Sequence, residues 1–178
     1  ATPSEPNRFD GTPQPGSVVR YIPARQEGRT VVVDLGTRHA KEILVSDVDG
    51  DGRQELYVSV EAETEGKGAS LRIRKPVEIR RYVASGGTLA GTVVATLDDA
   101  LCRFLTAGDV DGDGKRELVA APWKSGLWLL RPQGDAAQPW AVSPIDRESS
   151  GFEHAALLAD LDANGSDELY VASDAHGE

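Results

Sequence analysis

Three stretches of this sequence gather oxygen-bearing side chains at one fixed spacing. The first, Asp47-Val48-Asp49-Gly50-Asp51-Gly52-Arg53-Gln54-Glu55, sets Asp47, Asp49, Asp51 and Glu55 at positions 1, 3, 5 and 9. The second repeats it with Asp109, Asp111, Asp113 and Glu117, and the third, more worn, with Asp160, Asp162, Asn164 and Glu168. Such spacing lets a tight loop wrap one hard cation, with the position 7 carbonyl (Arg53, Lys115 or Ser166) as a further ligand. Glycine at position 6 (Gly52, Gly114, Gly165) permits the backbone of the sharp turn. An all-oxygen, flexible set favours Ca²⁺ over Mg²⁺ and excludes a zinc-type site. Bare carboxylates packed this closely repel one another, so the expectation is up to three Ca²⁺ per chain rather than three metal-free acidic turns. The third loop replaces one Asp with Asn164 and one Gly with Ala163, and is expected to bind most weakly.

Positioning these loops falls to the runs that flank them. Leu56-Tyr57-Val58-Ser59, Leu118-Val119-Ala120-Ala121 and Leu169-Tyr170-Val171-Ala172 follow the loops and are short, apolar and strand-like. None has helical periodicity, so a helix-flanked calcium hand is excluded. Loop and strand together resemble the calcium loops of FG-GAP and VCBS repeats, as in the β-propeller of integrin α chains and many bacterial surface proteins. The resemblance implies an all-β fold of four-stranded antiparallel blades, with Ca²⁺ held between inner strands in a structural role. Glu at position 9 stands where integrins more often have Asp.

The rest of the chain fits repeated strands. Ser17 to Pro23, Ala69 to Pro76 and Ser125 to Pro132 each read as a strand ended by proline. Thr30 to Leu35, Thr92 to Leu97 and Trp140 to Ile145 read as outer strands, with Pro144 marking an edge. Glu42 to Ser46, Phe104 to Gly108 and Ala155 to Ala159 precede the loops. Small residues end them (Ser46, Gly108, Ala159), as close packing between blades demands. Glu61 to Gly68, Pro132 to Gln138 and Asp146 to Gly151 read as exposed loops. Loops beginning at residues 47, 109 and 160 give a repeat of roughly 50–60 residues, the length of a propeller blade. The strands count two, four, four and two, about three blades' worth over residues 17–178, with residues 1–16 as a flexible linker. Three blades are too few for a ring. The expectation is a homodimer closing a six-bladed ring, or a fragment of a longer propeller.

Composition narrows the function. A net charge of −10 argues against nucleic acid and anionic membrane surfaces. No apolar run is long enough for membrane insertion. The single cysteine, Cys102, excludes an internal disulfide and reads as a buried, inert thiol. His39, His154 and His176 form no metal-ligand cluster, and no nucleophile elbow is present, so no catalytic constellation is expected. Trp123, Trp128 and Trp140 read as packing residues, Asp98-Asp99 as a turn, and Arg72, Arg74, Arg80 and Arg81 as a solvated basic strand face. The reading is an exported calcium-binding scaffold (extracellular, cell-surface or periplasmic) for a protein or glycan ligand. Its alternatives are a module of a carbohydrate-active lyase or hydrolase, and a structural spacer of a larger surface protein.

Overall fold

Alternating apolar and polar residues around each loop build strands. The computed structural model describes residues 9–12, 14–66, 68–148 and 153–173, and among these no α-helix is present. The strands are β1 Gly16–Ile22, β2 Glu27–Gly36, β3 Ala40–Ser46, β4 Glu55–Val60, β5 Glu63–Glu65, β6 Arg72–Lys75 and β7 Val77–Ser85. They continue as β8 Thr88–Leu97, β9 Cys102–Gly108, β10 Glu117–Pro122, β11 Leu127–Arg131, β12 Ala141–Asp146, β13 Glu153–Ala159 and β14 Glu168–Ser173. Of the expected linker, residues 1–8 and 13 lie outside the described residues, as do His176 and part of the expected 146–151 loop.

The described residues form five antiparallel sheets. Two are four-stranded meanders, β3-β4-β7-β8 and β9-β10-β11-β12, and none of the sheets closes into a barrel. The pairs β1-β2 and β13-β14 stand as separate two-stranded sheets, so the expected run of two, four, four and two strands is present. Pro144 does fall on an edge strand, β12. The fifth sheet, β5-β6, corrects the sequence reading in two places. Glu61 to Gly68 is no simple loop but contains β5, and Arg72–Lys75 is not the third strand of the first meander. That strand is β7, in which Val77, Ile79, Arg81 and Tyr82 are buried, whereas every residue of β6 is exposed. The proline signal at Pro76 pointed to the strand before it, while the burial-bearing alternation lies after it.

One core joins the two meanders. It includes Tyr57 and Ile79 from the first and Leu118, Leu130 and Trp140 from the second sheet and its approach. Burying each such side chain stabilises the fold by about 1.5–3 kcal/mol. The Tyr57 and Trp140 rings meet tilted, with centroids 5.7 Å apart. Backbone polarity is matched across the junction, because the Ser59 hydroxyl donates to the Cys102 carbonyl at 2.9 Å and Trp140 N–H donates to the Val94 carbonyl at 2.8 Å. Cys102 is fully buried, and burial pushes its thiol up to about 12, which makes it inert at physiological pH. A second cluster, with Val18, Val33 and Leu35, seats β1-β2 against Val58, Val60 and Tyr82. Buried Arg38 ties these parts together by donating to the Glu61 and Pro76 carbonyls and pairing with Glu78 at 2.5 Å. Asp99, read as a turn residue, is an anchor. Its buried carboxylate accepts from the backbone N–H groups of Ala100, Lys124 and Ser125.

Candidate metal centre

The three acidic stretches are the connections β3–β4, β9–β10 and β13–β14, and they fold alike. In each, position 1 accepts a backbone hydrogen bond from position 6: Asp47 from Gly52 at 2.9 Å, Asp109 from Gly114 at 2.8 Å, Asp160 from Gly165 at 2.9 Å. Position 5 accepts from position 7: Asp51 from Arg53 and Asp113 from Lys115 at 2.8 Å, Asn164 from Ser166 at 2.9 Å. The Oε2 atom of position 9 accepts from the position 2 N–H at 3.1 Å in all three, Glu55 from Val48, Glu117 from Val110 and Glu168 from Leu161. Position 4 takes the left-handed conformation that glycine adopts without cost, at φ 73° in Gly50 and 74° in Gly112. Ala163 is held there at φ 59°.

This shared framework turns carboxylates toward one another. One oxygen from each of Asp47, Asp49, Asp51 and Glu55 lies within 4.8 Å of the others. The same holds for Asp109, Asp111 and Glu117, and for Asp160, Asp162 and Glu168. Asp113 stays outside its group. It is exposed, and the Lys115 backbone N–H holds its carboxyl below the usual range. Asn164 is occupied by the Ser166 N–H and hydroxyl. Burial raises the Glu117 carboxyl, and neighbouring Asp111 adds to the rise after the opposing Val110 N–H. Asp47 Oδ1 and Glu168 Oε1 are buried and accept no hydrogen bond. A hard cation would satisfy both atoms, so the all-oxygen donor sets fit a bound metal ion.

Two arginines complete the first two loops, and the sequence reading missed them. Arg81 on β7 pairs with Asp49 and reaches Glu55 Oε1 at 3.5 Å. Arg131 on β11 pairs with Asp111 at 2.8 Å and reaches Glu117 Oε1 at 3.8 Å. Arg81 is therefore no part of a solvated stripe, unlike exposed Arg72 and Arg74. The third loop has no such arginine among the described residues. One guanidinium beside each four-carboxylate loop offsets its extra charge, which removes the reason for ranking loop three weakest. Asp167 is a second omission: its carboxylate accepts from Asp109 N–H at 2.8 Å, and its own N–H donates to the Asp109 carbonyl at 2.7 Å, binding loop three to loop two. Gln54 and Arg116 hold the matching positions in the other loops, so the repeat gave no signal for it.

The tryptophans read as packing residues divide. Trp140 is core, Trp128 packs against it and donates to the Ser125 carbonyl, and Trp123 lies under the Lys124 ammonium at 4.2 Å. No helix among the described residues is long and apolar enough to cross a membrane.

The family model of the FG-GAP-like repeat matches residues 109–171, from the second loop through most of β14. The match is consistent with the resemblance of the loops to FG-GAP and VCBS repeats. No curated protein matches the chain significantly.

Proposed function

We propose that this chain is a calcium-stabilised scaffold whose meanders act as β-propeller blades, exported to a calcium-rich compartment, and offering a rigid non-catalytic surface to a protein or glycan. The observation that carries the reading is the threefold recurrence of one hydrogen-bonded loop that draws carboxylates to within 4.8 Å of one another. Asp47, Asp49, Asp51 and Glu55 would hold one Ca²⁺, Asp109, Asp111 and Glu117 a second, and Asp160, Asp162, Asn164 and Glu168 a third, with the carbonyls of Arg53, Lys115 and Ser166 as further ligands. Asp113 is left to the rim of its loop. Bound calcium supplies charge compensation. The chain's own residues then fix the turn between paired strands, through the Glu Oε2 and position 1 hydrogen bonds. Loops of this ligand type suit millimolar extracellular calcium, which supports export. Thermal melting tests the reading. Ca²⁺ at a hundredfold excess over Kd stabilises a folded-state site by about 2.7 kcal/mol. Chelator should therefore lower Tm by several degrees, and an identical melt with and without chelator would contradict the proposal.

A further inference from the structure

The halves of one completed sheet recur, separated, at β14 and β1. Strand β4 carries Glu55-Leu56-Tyr57-Val58, and β14 carries the same four residues, Glu168-Leu169-Tyr170-Val171. The Tyr57 hydroxyl donates to Glu55 Oε2 at 3.0 Å, and the Tyr170 hydroxyl to Glu168 Oε2 at 2.9 Å. Beside β4 lies β7, whose Arg81-Tyr82 pairs with β8 as Arg81 to Thr92, Arg80 to Val93 and Ile79 to Ala95, with an irregularity between Ile79 and Arg80. The pair β1-β2 repeats that register: Arg20 to Thr30, Val19 to Val31 and Val18 to Val33, with the irregularity between Val18 and Val19. Arg20 is thus the counterpart of Arg81, and Tyr21 that of Tyr82.

Burial shows what the separated halves lack. Tyr57 is 0 % exposed and Tyr170 42 %, while Tyr82 is 7 % exposed and Tyr21 57 %. Glu55 Oε1 faces Arg81 and Glu117 Oε1 faces Arg131, but Glu168 Oε1 is buried with no partner. Arg20 makes no ion pair among the described residues. A groove of about 700 Å³ between β1-β2 and β3 is lined by Tyr21, Val31, Ile43 and Val45, all of them half exposed. Strand β3 packs on β9 and β9 on β13, and Ile43 and Val45 leave an exposed apolar face on β3. Leu157 of β13 is 59 % exposed on such a face.

We propose that a second copy of this chain fills that groove with its β13-β14 sheet, and that each copy lends Arg20 to the other's third loop. The partners suit each other in shape, because an open apolar hairpin meets an open apolar groove. They also suit each other in charge, because a guanidinium without an ion pair meets Asp162 and Glu168. Register carries over from β4 and β7, where Leu56 lies opposite Tyr82, Tyr57 opposite Arg81 and Val58 opposite Arg80. Leu169 then pairs with Tyr21, Tyr170 with Arg20 and Val171 with Val19 of the second copy. The two junctions are identical under a two-fold axis. The pairing stands on strand register and holds whether or not the loops bind calcium.

Neighbouring positions of paired antiparallel strands lie within disulfide reach, so a cysteine pair reads the register directly. The double variant Val19→Cys, Val171→Cys of the full chain is oxidised in calcium and, separately, in chelator, then run on a non-reducing gel. A bridged species of twice 19.0 kDa in either buffer is the expected result; Cys102, fully buried, stays out of the exchange. Bridging within a single chain, or no bridging in both buffers together with a 19.0 kDa sedimentation mass, overturns the proposal. Arg20→Ala removes an exposed side chain that the single fold does not need. It should raise the dimer Kd roughly tenfold or more, and an unchanged Kd overturns the assignment of Arg20 to the third loop.

Discussion

Arg81 and calcium answer the same electrostatic need, so the cost of losing one depends on the other. The Arg81 side chain is 10 % exposed and reaches Asp49 and Glu55, whose side chains are 23 % and 2 % exposed. Arg81→Ala leaves the Glu55 carboxylate buried without its cation. Breaking a buried pair in this way costs about 3–5 kcal/mol. With Ca²⁺ in the loop the charge is compensated, and the loss shrinks to that of a hydrogen bond, about 1 kcal/mol. The difference, about 2–4 kcal/mol, must by linkage appear as a calcium affinity roughly thirtyfold to a thousandfold tighter at loop one in the variant. Urea unfolding followed by tryptophan fluorescence, in excess calcium and in excess chelator, gives both losses, and calorimetry gives the affinity. Equal losses in the two buffers would refute the coupling, and with it the claim that loop one holds a cation beside Arg81.

Three further outcomes follow from particular contacts. Ala163→Gly should stabilise the protein by about 0.5–1 kcal/mol, because Ala163 sits at φ 59° where the other loops carry glycine; urea unfolding measures it. Gly108→Ala should destabilise by about 1–3 kcal/mol, since the added Cβ would lie 2.2 Å from Asp167 Oδ2 and 2.8 Å from Leu158 Cβ, forcing β9 away from β13. For Glu78, burial favours the neutral acid, but hydrogen bonds from Arg80 and Arg38 outweigh it and hold the carboxyl below 4.5. A folded value below the unfolded one gives stability that is complete above pH 4.5 and lost as pH falls through the folded value. Glu78→Gln should therefore flatten the acid limb of a stability-against-pH curve.

The loops and strands were legible because their signals are local. Carboxylate spacing, glycine at position 6 and the apolar run after each loop all sit within thirteen residues, as from Asp47 to Ser59. Two, four, four and two strands could be counted from them. What escaped were partners brought in from elsewhere. Arg81 and Arg131 reach their loops from different strands, and Arg81 lies opposite Tyr57 while its loop partners precede that residue. No spacing rule connects Arg81 to Asp49 across 32 residues. The third strand of the first meander was misplaced for a related reason. An extra hairpin, β5-β6, lies between β4 and β7, and its proline-ended run imitates the repeat while burying nothing. Asp99 and Asp167 act through backbone N–H groups of other segments, which a sequence does not display.

Calorimetric titration of the full chain with Ca²⁺, starting from chelator-stripped protein, tests the central claim most directly. The account predicts saturable binding at up to three sites per chain, reduced by one in each of Asp49→Ala, Asp111→Ala and Asp162→Ala. No saturable heat, or the same number of sites in all three variants, would contradict it.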